Sequence, residues 1–295
     1  MPSLKEVRNR IVSVNSTMQI TKAMKMVAAA KLRRAQDAIL QMRPYANKLN
    51  ELISTVSANT EVGAQSPYTT VRPVEKVLLV VVTSDRGLCG AFNTNVIKAA
   101  NALIAEKYAA QQAAGKVEIF PLGKKASEAF QRRGYKVHTQ FSDIFLRLSF
   151  ATAREAAESV MALFAGGEFD EVMLVFNEFK NVATQIIRTE QMLPVVEKTD
   201  ESATKTASVD YIFEPSEEEI VLELLPKAIK MHLFKAVLES NASEHGARMT
   251  AMDKATENAG DLLRDLKIEY NRSRQAAITK EILEIVGGAE ALKSA

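Results

Sequence analysis

Apolar residues recur at both ends of the chain in alternating steps of three and four. From Leu4 the pattern runs through Val7, Ile11, Val14 and Met18 and continues as Ala28, Leu32, Ala35, Ile39, Met42, Ala46, Leu49, Ile53 and Val56. Only Thr21 and Lys25 interrupt its apolar character, and they keep its register. A repeat every 3.5 residues holds one narrow stripe toward a partner helix and winds the pair left-handed. A helix of this span is roughly 80 Å long at about 1.5 Å per residue. Pro44 lies inside the pattern, which keeps its phase on both sides, so a kink is expected there and not an end.

The C-terminal end carries the same signal through Met231, Phe234, Leu238, Ala242, His245, Met249, Met252, Thr256, Ala259, Leu263, Leu266, Tyr270, Ser273 and Ala277. Two consecutive four-residue steps, Phe234 to Leu238 to Ala242, form its one irregularity. Several of its positions are small or polar, which permits close helix approach. The two ends therefore predict a long antiparallel coiled coil, and pattern alone fits a rigid spacer hairpin equally well.

Between the ends the period changes. Residues 76–83, 117–121, 136–139 and 171–177 read as strands, and 93–112, 124–133 and 151–165 as helices. Alternating strands and helices imply a parallel sheet, so the fold class is α/β, with a central Rossmann-like domain between two shaft helices. A strand at 185–193 is placed to form an antiparallel edge hairpin, and 197–208 reads as a loop. The expected segments are 1–58 for the N-terminal helix, 74–215 for the α/β domain and 216–295 for the C-terminal helix.

Charge is distributed unevenly. Residues 1–50 hold ten Lys or Arg against two acids, a balance of +8, while the remainder holds 28 bases against 34 acids. A solvated helix face would account for this, as would an acidic protein partner, nucleic acid or an anionic membrane. A basic nucleic-acid-binding coiled coil is thus the alternative function, although the first helix lacks interleaved aromatics for base stacking. No apolar run approaches the roughly 20 residues of a membrane span, and charges at Lys5, Glu6, Arg8 and Arg10 argue against a signal peptide. The single cysteine, Cys89, excludes an internal disulfide and fits a reducing compartment.

The α/β domain raises the possibility of nucleotide chemistry. After the first strand, Thr83-Ser84-Asp85-Arg86-Gly87-Leu88-Cys89-Gly90 has two glycines three apart, short of the three in a dinucleotide fingerprint and without the Lys-Ser or Lys-Thr of a phosphate loop. His138, His232 and His245 are dispersed, and no histidine neighbours Cys89 in sequence. No catalytic, cofactor-binding or metal-ligating residues are assigned, and no cofactor is expected.

Three segments carry a family resemblance. Ile20-Thr21-Lys22-Ala23-Met24-Lys25-Met26-Val27-Ala28-Ala29, Ser84-Asp85-Arg86-Gly87-Leu88-Cys89-Gly90 and Arg274-Gln275-Ala276-Ala277-Ile278-Thr279-Lys280-Glu281 resemble, in order and over essentially the whole chain, the gamma subunit of rotary F-type ATP synthases of bacterial type. The chloroplast form adds a regulatory cysteine pair that this sequence lacks.

The resemblance implies a non-catalytic central-stalk rotor that couples ion flow through a membrane c ring to the conformational cycle of catalytic beta subunits. Its partners would be the alpha and beta subunits of the catalytic ring, the epsilon subunit and the c ring, with no nucleic acid. Its place would be the cytoplasmic face of the plasma (inner) membrane, held there through the complex. By the same resemblance Met24, Lys25, Glu244 and Arg248 would face the acidic lever loop of beta, and Arg274, Gln275 and Thr279 would form a polar catch. Ile278, Ile282, Leu283, Ile285 and Val286 spread around the helix and would form an apolar bearing tip, with Gly287 and Gly288 ending the helix. Arg43, Pro44, Tyr45, Asp210 and Tyr211 would form the foot on the c ring and epsilon, local packing on the α/β domain being the alternative for the two tyrosines.

Overall fold

The computed structural model describes residues 3–57, 66–182, 184–195 and 217–293. The expected loop at 197–208 and the foot residues Asp210 and Tyr211 lie outside them. Helix α1 spans Leu4–Ser57 and helix α6 spans Glu217–Lys293, and neither ends at its internal proline, Pro44 or Pro226. Between them lie β1 (Val77–Val82), α2 (Phe92–Lys107), α3 (Ala109–Ala113), β2 (Val117–Leu122), α4 (Lys124–Gln131), β3 (Lys136–Val137), α5 (Phe150–Ala165), β4 (Glu171–Phe179) and β5 (Gln185–Leu193).

The five strands form one mixed sheet in the order β3-β2-β1-β4-β5, parallel except for the β4–β5 hairpin. β1 (Val-Leu-Leu-Val-Val-Val) is buried on both faces, as an uninterrupted apolar strand in the middle of a parallel sheet must be. Its side chains alternate between two cores. Leu78, Val80 and Val82 join Phe120, Leu174 and Phe176 beneath α5 (Ala153, Ala157, Val160, Phe164) and α6 (Leu225, Ile229, Leu233, Val237). Val77, Leu79 and Val81 join Ile119, Met173 and Val175 beneath α2 (Val96, Ala100, Ile104) and α4 (Ala126, Phe130). The period-two pattern thus supplies two apolar faces, and each crossover helix covers one of them.

Three local expectations change. The helix read as 93–112 divides at Tyr108, whose backbone leaves helical geometry (φ −123°, ψ 27°) and whose side chain is buried with the α2 core. The strand read as 136–139 keeps only Lys136–Val137, because single 3-10 turns follow at Thr139–Phe141 and Ile144–Arg147. Gly287 and Gly288 do not end the last helix, which continues to Lys293. A glycine inside a helix weakens it by only about 1 kcal/mol, and good helix formers follow in Ala289, Glu290, Ala291 and Leu292.

Compactness divides the chain into two units, one of Met1–Ala28 with Met249–Ala295 and one of Ala29–Arg248. Both long helices contribute to each. In the first unit, Gly260 lies beside the Met18 sulfur, Thr256 donates to Thr21 at 2.8 Å and Lys25 pairs with Asp253 at 2.5 Å. These pairs run in opposite directions along the two helices, so the pairing is antiparallel. In the second unit Leu32, Ala35, Ile39, Met42 and Leu49 of α1 are buried, as the seam requires.

One turn sets the sheet's upper edge. Gly123 has φ 121°, and a Cβ there would lie 2.1 Å from the Thr83 carbonyl oxygen, a backbone atom that cannot swing away. Gly123→Ala is therefore expected to destabilise the chain by about 3 kcal/mol or more in urea unfolding. Gly287→Ala, with open space around it, should stabilise α6 locally by up to about 1 kcal/mol. Equal unfolding midpoints for Gly123→Ala and the parent chain would contradict this reading.

Candidate functional site

The C-terminal edge of the parallel strands is where a nucleotide would bind in a layered α/β domain. Here the donors a phosphate needs are engaged within the chain. At the start of α4 the Lys124 amide donates to Asp85 Oδ1 (3.2 Å), the Lys125 amide to the Ser84 carbonyl (3.1 Å) and the Ala126 amide to Thr83 Oγ1 (2.9 Å). In the first turn of α2, Asn93 folds back on the loop: its Oδ1 accepts from the Ser84 amide at 2.9 Å and its Nδ2 donates to Ser84 Oγ at 2.8 Å and to Cys89 Sγ at 3.2 Å. Burial raises the Asp85 carboxyl above its ordinary value despite the Lys124 amide, and burial likewise raises the Cys89 thiol, so Cys89 is poorly suited to act as a thiolate. No group of three or more His, Cys, Asp or Glu placed to hold a metal occurs among the described residues.

The remaining described candidate residues lie on helices α1 and α6. In the first unit Met24 is half-buried beside Lys25, whose ammonium is engaged by Asp253 across the helix pair. Farther along α6, Arg274, Gln275 and Thr279 are exposed, and the Thr279 hydroxyl donates to the Gln275 carbonyl at 3.0 Å. The tip residues Ile278, Ile282, Leu283, Ile285 and Val286 are 46–66% exposed. Five large aliphatic side chains exposed within one short helical stretch form an apolar patch of the kind found at interaction sites. Arg274, Gln275 and Thr279 share α6 with the apolar tip and make no described bond to another helix.

In the second unit, Glu244 and Arg248 pair at 2.6 Å, and Arg248 also donates to the Gly87 carbonyl (2.6 Å) and the Arg86 carbonyl (3.3 Å). The two residues assigned to a partner loop thus also hold the turn after β1. That turn carries Leu88 at a positive φ of 65° with its side chain 68% exposed. Arg43, Pro44 and Tyr45 are exposed on α1, Tyr45 at 55%.

Sequence reasoning overlooked Asp253 as the partner of Lys25 and Glu239 and Ser243 as contacts of α6 to the sheet. The first was detectable, since an antiparallel register that sets Thr21 against Thr256 brings Asp253 to Lys25. The second was not, because nothing in a helical pattern announces which backbone groups a buried Glu or Ser will meet.

The comparisons agree with this picture. The family described as ATP synthase matches residues 3–292. The chain is 61% identical over 295 residues, the whole of both chains, to the ATP synthase gamma chain of Cytophaga hutchinsonii, and 54% identical to that of Flavobacterium johnsoniae over 99% of each chain. The chain belongs to the ATP synthase gamma family. It is the central-stalk rotor subunit, a non-catalytic subunit of an enzyme complex. Two solved structures of the Euglena gracilis mitochondrial ATP synthase share the fold at 22% identity. One, of the rotor in rotational state 1, has a TM-score of 0.65 and covers 93% of this chain and 98% of its own. The other, of OSCP, F1 and the c ring in rotational state 3, has a TM-score of 0.68 and covers 99% of this chain and 95% of its own.

One buried group of this gamma chain titrates at an unusual pH. His245 sits on the seam side of α6, and burial, with the nearby charges of Lys31 and Arg248, pushes its pKa down from 6.5 to about 4. Glu244 Oε1 lies 3.9 Å from His245 Nδ1, too far to hold a proton on the ring, and is bonded to Arg248 instead. The folded state thus keeps His245 neutral where the unfolded chain would protonate it. Stability from this residue is complete above about pH 6.5 and declines as pH falls toward about 4. His245→Gln is expected to remove on the order of 2 kcal/mol of that acid-side loss, read as a flatter dependence of unfolding free energy on pH. An unchanged slope between those pH values would show that the histidine is not held neutral.

Proposed function

We propose that this gamma chain transmits rotation between a membrane c ring and the catalytic beta subunits of a ring of alpha and beta subunits, with epsilon beside its α/β domain. The observation that carries this reading is the helix α6, whose outer end exposes five large aliphatic side chains on one broad face while its paired portion is closed by an antiparallel seam. Burial in an apolar sleeve is non-directional, so it holds a turning tip without favouring one angle. A single asymmetric shaft cannot present one face to three equivalent partners at once, so each partner is held in a different state and rotation exchanges those states.

The contact surfaces follow from charge and exposure. Met24, Lys25, Glu244 and Arg248 meet the acidic lever loop of beta, for which the +8 balance of residues 1–50 is complementary. Arg274, Gln275 and Thr279 form the polar catch that distinguishes beta conformations, and Ile278, Ile282, Leu283, Ile285 and Val286 form the bearing. Arg43, Pro44 and Tyr45, with Asp210 and Tyr211, form the foot on the c ring and epsilon. In this division residues 1–58 and 216–295 are the shaft and 74–215 the domain that seats it. No described helix is long and apolar enough to cross a membrane, so attachment at the cytoplasmic face of the plasma (inner) membrane is through the complex.

The reading is tested by affinity purification of the tagged chain from its source membranes. Recovery of the catalytic subunits and the c ring in fixed ratio supports it, and recovery of nucleic acid without them favours the coiled-coil nucleic-acid binder. At residue level, Met24→Lys places a second cation beside Lys25 and strengthens contact with an acidic loop in one rotary state, which deepens that state alone. Complexes carrying it are expected to assemble but to pump fewer ions per ATP hydrolysed, while Met24→Leu, which keeps volume and polarity, changes little. Pumping and hydrolysis measured on the same complexes decide the point, and an unchanged ratio for Met24→Lys removes Met24 from the coupling surface.

A further inference from the structure

Helix α6 meets the α/β domain in two different ways. From Leu225 to Val237 the contact is mainly apolar, through Leu225, Ile229, Leu233, Ala236 and Val237, with side-chain contacts of Lys230 to Glu158 (2.7 Å) and His232 to Glu190 (2.8 Å) but none to the main chain of the sheet among the described bonds. The next three turns change character. Glu239 Oε2 accepts the Phe179 amide at 3.0 Å, Ser243 Oγ donates to the Asn177 carbonyl at 3.3 Å, and Arg248, held by Glu244, donates to the Gly87 and Arg86 carbonyls. All of these partners are main-chain groups at or just beyond the C-terminal ends of β4 and β1, which pair with each other inside the sheet. Gly246 brings the helix close, since a Cβ there would lie 3.4 Å from Phe179 Cε2.

Apolar burial resists separation of two surfaces but not their sliding, because it depends on area and not on direction. Hydrogen bonds weaken steeply when displaced or bent, so a row of them resists both sliding and turning. Four of the six residues 239–244 are buried and polar: Glu239 at 4%, Ser240 at 0%, Ser243 at 0% and Glu244 at 7% exposure. Among the described residues, Ser240 Oγ in this stretch and Asn177 Nδ2 on β4 have no hydrogen-bond partner. Well-packed apolar residues stabilise a helix–sheet contact at least as well as such a group, so stability alone does not explain it. We infer that Glu239, Ser243 and Arg248 are the torque-bearing joint between the shaft helix and the α/β domain, the points at which rotation of one is imposed on the other. The inference rests on the rotor role of the chain.

A joint of this kind matters only under load. The test uses complete complexes in sealed vesicles carrying Glu239→Leu, Ser243→Ala, both together, or Glu239→Gln. Unloaded turnover is ATP hydrolysis with an ionophore collapsing the membrane potential. Loaded turnover is the ATP-driven potential, read with a voltage-sensitive dye per assembled complex. The double variant is expected to keep unloaded hydrolysis and to lower the loaded-to-unloaded ratio roughly threefold or more, with Ser243→Ala alone showing a smaller loss. Glu239→Gln should restore the ratio, since its amide oxygen still accepts from the Phe179 amide. Loaded and unloaded activities that fall in proportion, or a double variant with an unchanged ratio, would overturn the joint. A parent chain that fails to copurify with the catalytic subunits would overturn the rotor role, and the joint with it.

Discussion

The structure depends on two helices keeping one antiparallel register over a distance that no compact core supports. Thr21 against Thr256 and Lys25 against Asp253 are specific to that register, whereas aliphatic contacts tolerate a slip. This is why the two non-aliphatic positions in the first helix's seam are not flaws. An exposed ion pair and a single part-buried hydroxyl pair contribute modest free energy, but a shift of either helix by one turn would separate them. The seam uses small residues such as Ala28 and Gly260 where the helices approach, and the large aliphatic side chains of the outer α6 are left facing outward.

The α/β domain has a layered topology in which the described main-chain donors at the head of α4 are engaged within the chain. The amides at the start of α4 end on Asp85, Ser84 and Thr83, and Asn93 fills the space before α2. Those bonds convert the edge of the sheet into a rigid platform, and it is on this platform, through Asn177, Phe179 and Gly87, that α6 is fastened. The loop that supplies Thr83, Ser84 and Asp85 to those bonds continues into Arg86 and Gly87, whose carbonyls accept from Arg248 of α6. Fold and function separate here as they often do: the layered sheet supplies stiffness, and the surfaces of the long helices supply the activity.

Much of this was legible in the sequence. The seam positions from Val7 to Leu49 are buried or half-buried in the structure, and the period-two runs became strands within two residues at most of their ends. Periodicity reports burial, and burial decides these elements. It does not report backbone turns, so the break at Tyr108 and the early end of β3 at Val137 were missed, both of them set by tertiary packing. Gly287 and Gly288 misled for the opposite reason, since a strong local stop signal was outweighed by the helix formers around it. Of the candidate surfaces, the exposed tip could be read from a cluster of aliphatic residues beyond Ala277, the last seam position. The polar fastening of α6 could not, because its partners are backbone atoms distant in sequence.

The central claim is that the paired helices of the first unit are completed by partners and not by the chain's own core. Amide hydrogen exchange of the isolated chain and of the assembled complex tests it most directly. In the isolated chain, residues 4–28 and 249–286 should exchange far faster than Val77–Val82 and Glu171–Phe179, and in the complex they should slow markedly while the strands change little. Protection of the helices equal to that of the strands in the isolated chain, with no further slowing on assembly, would contradict the account.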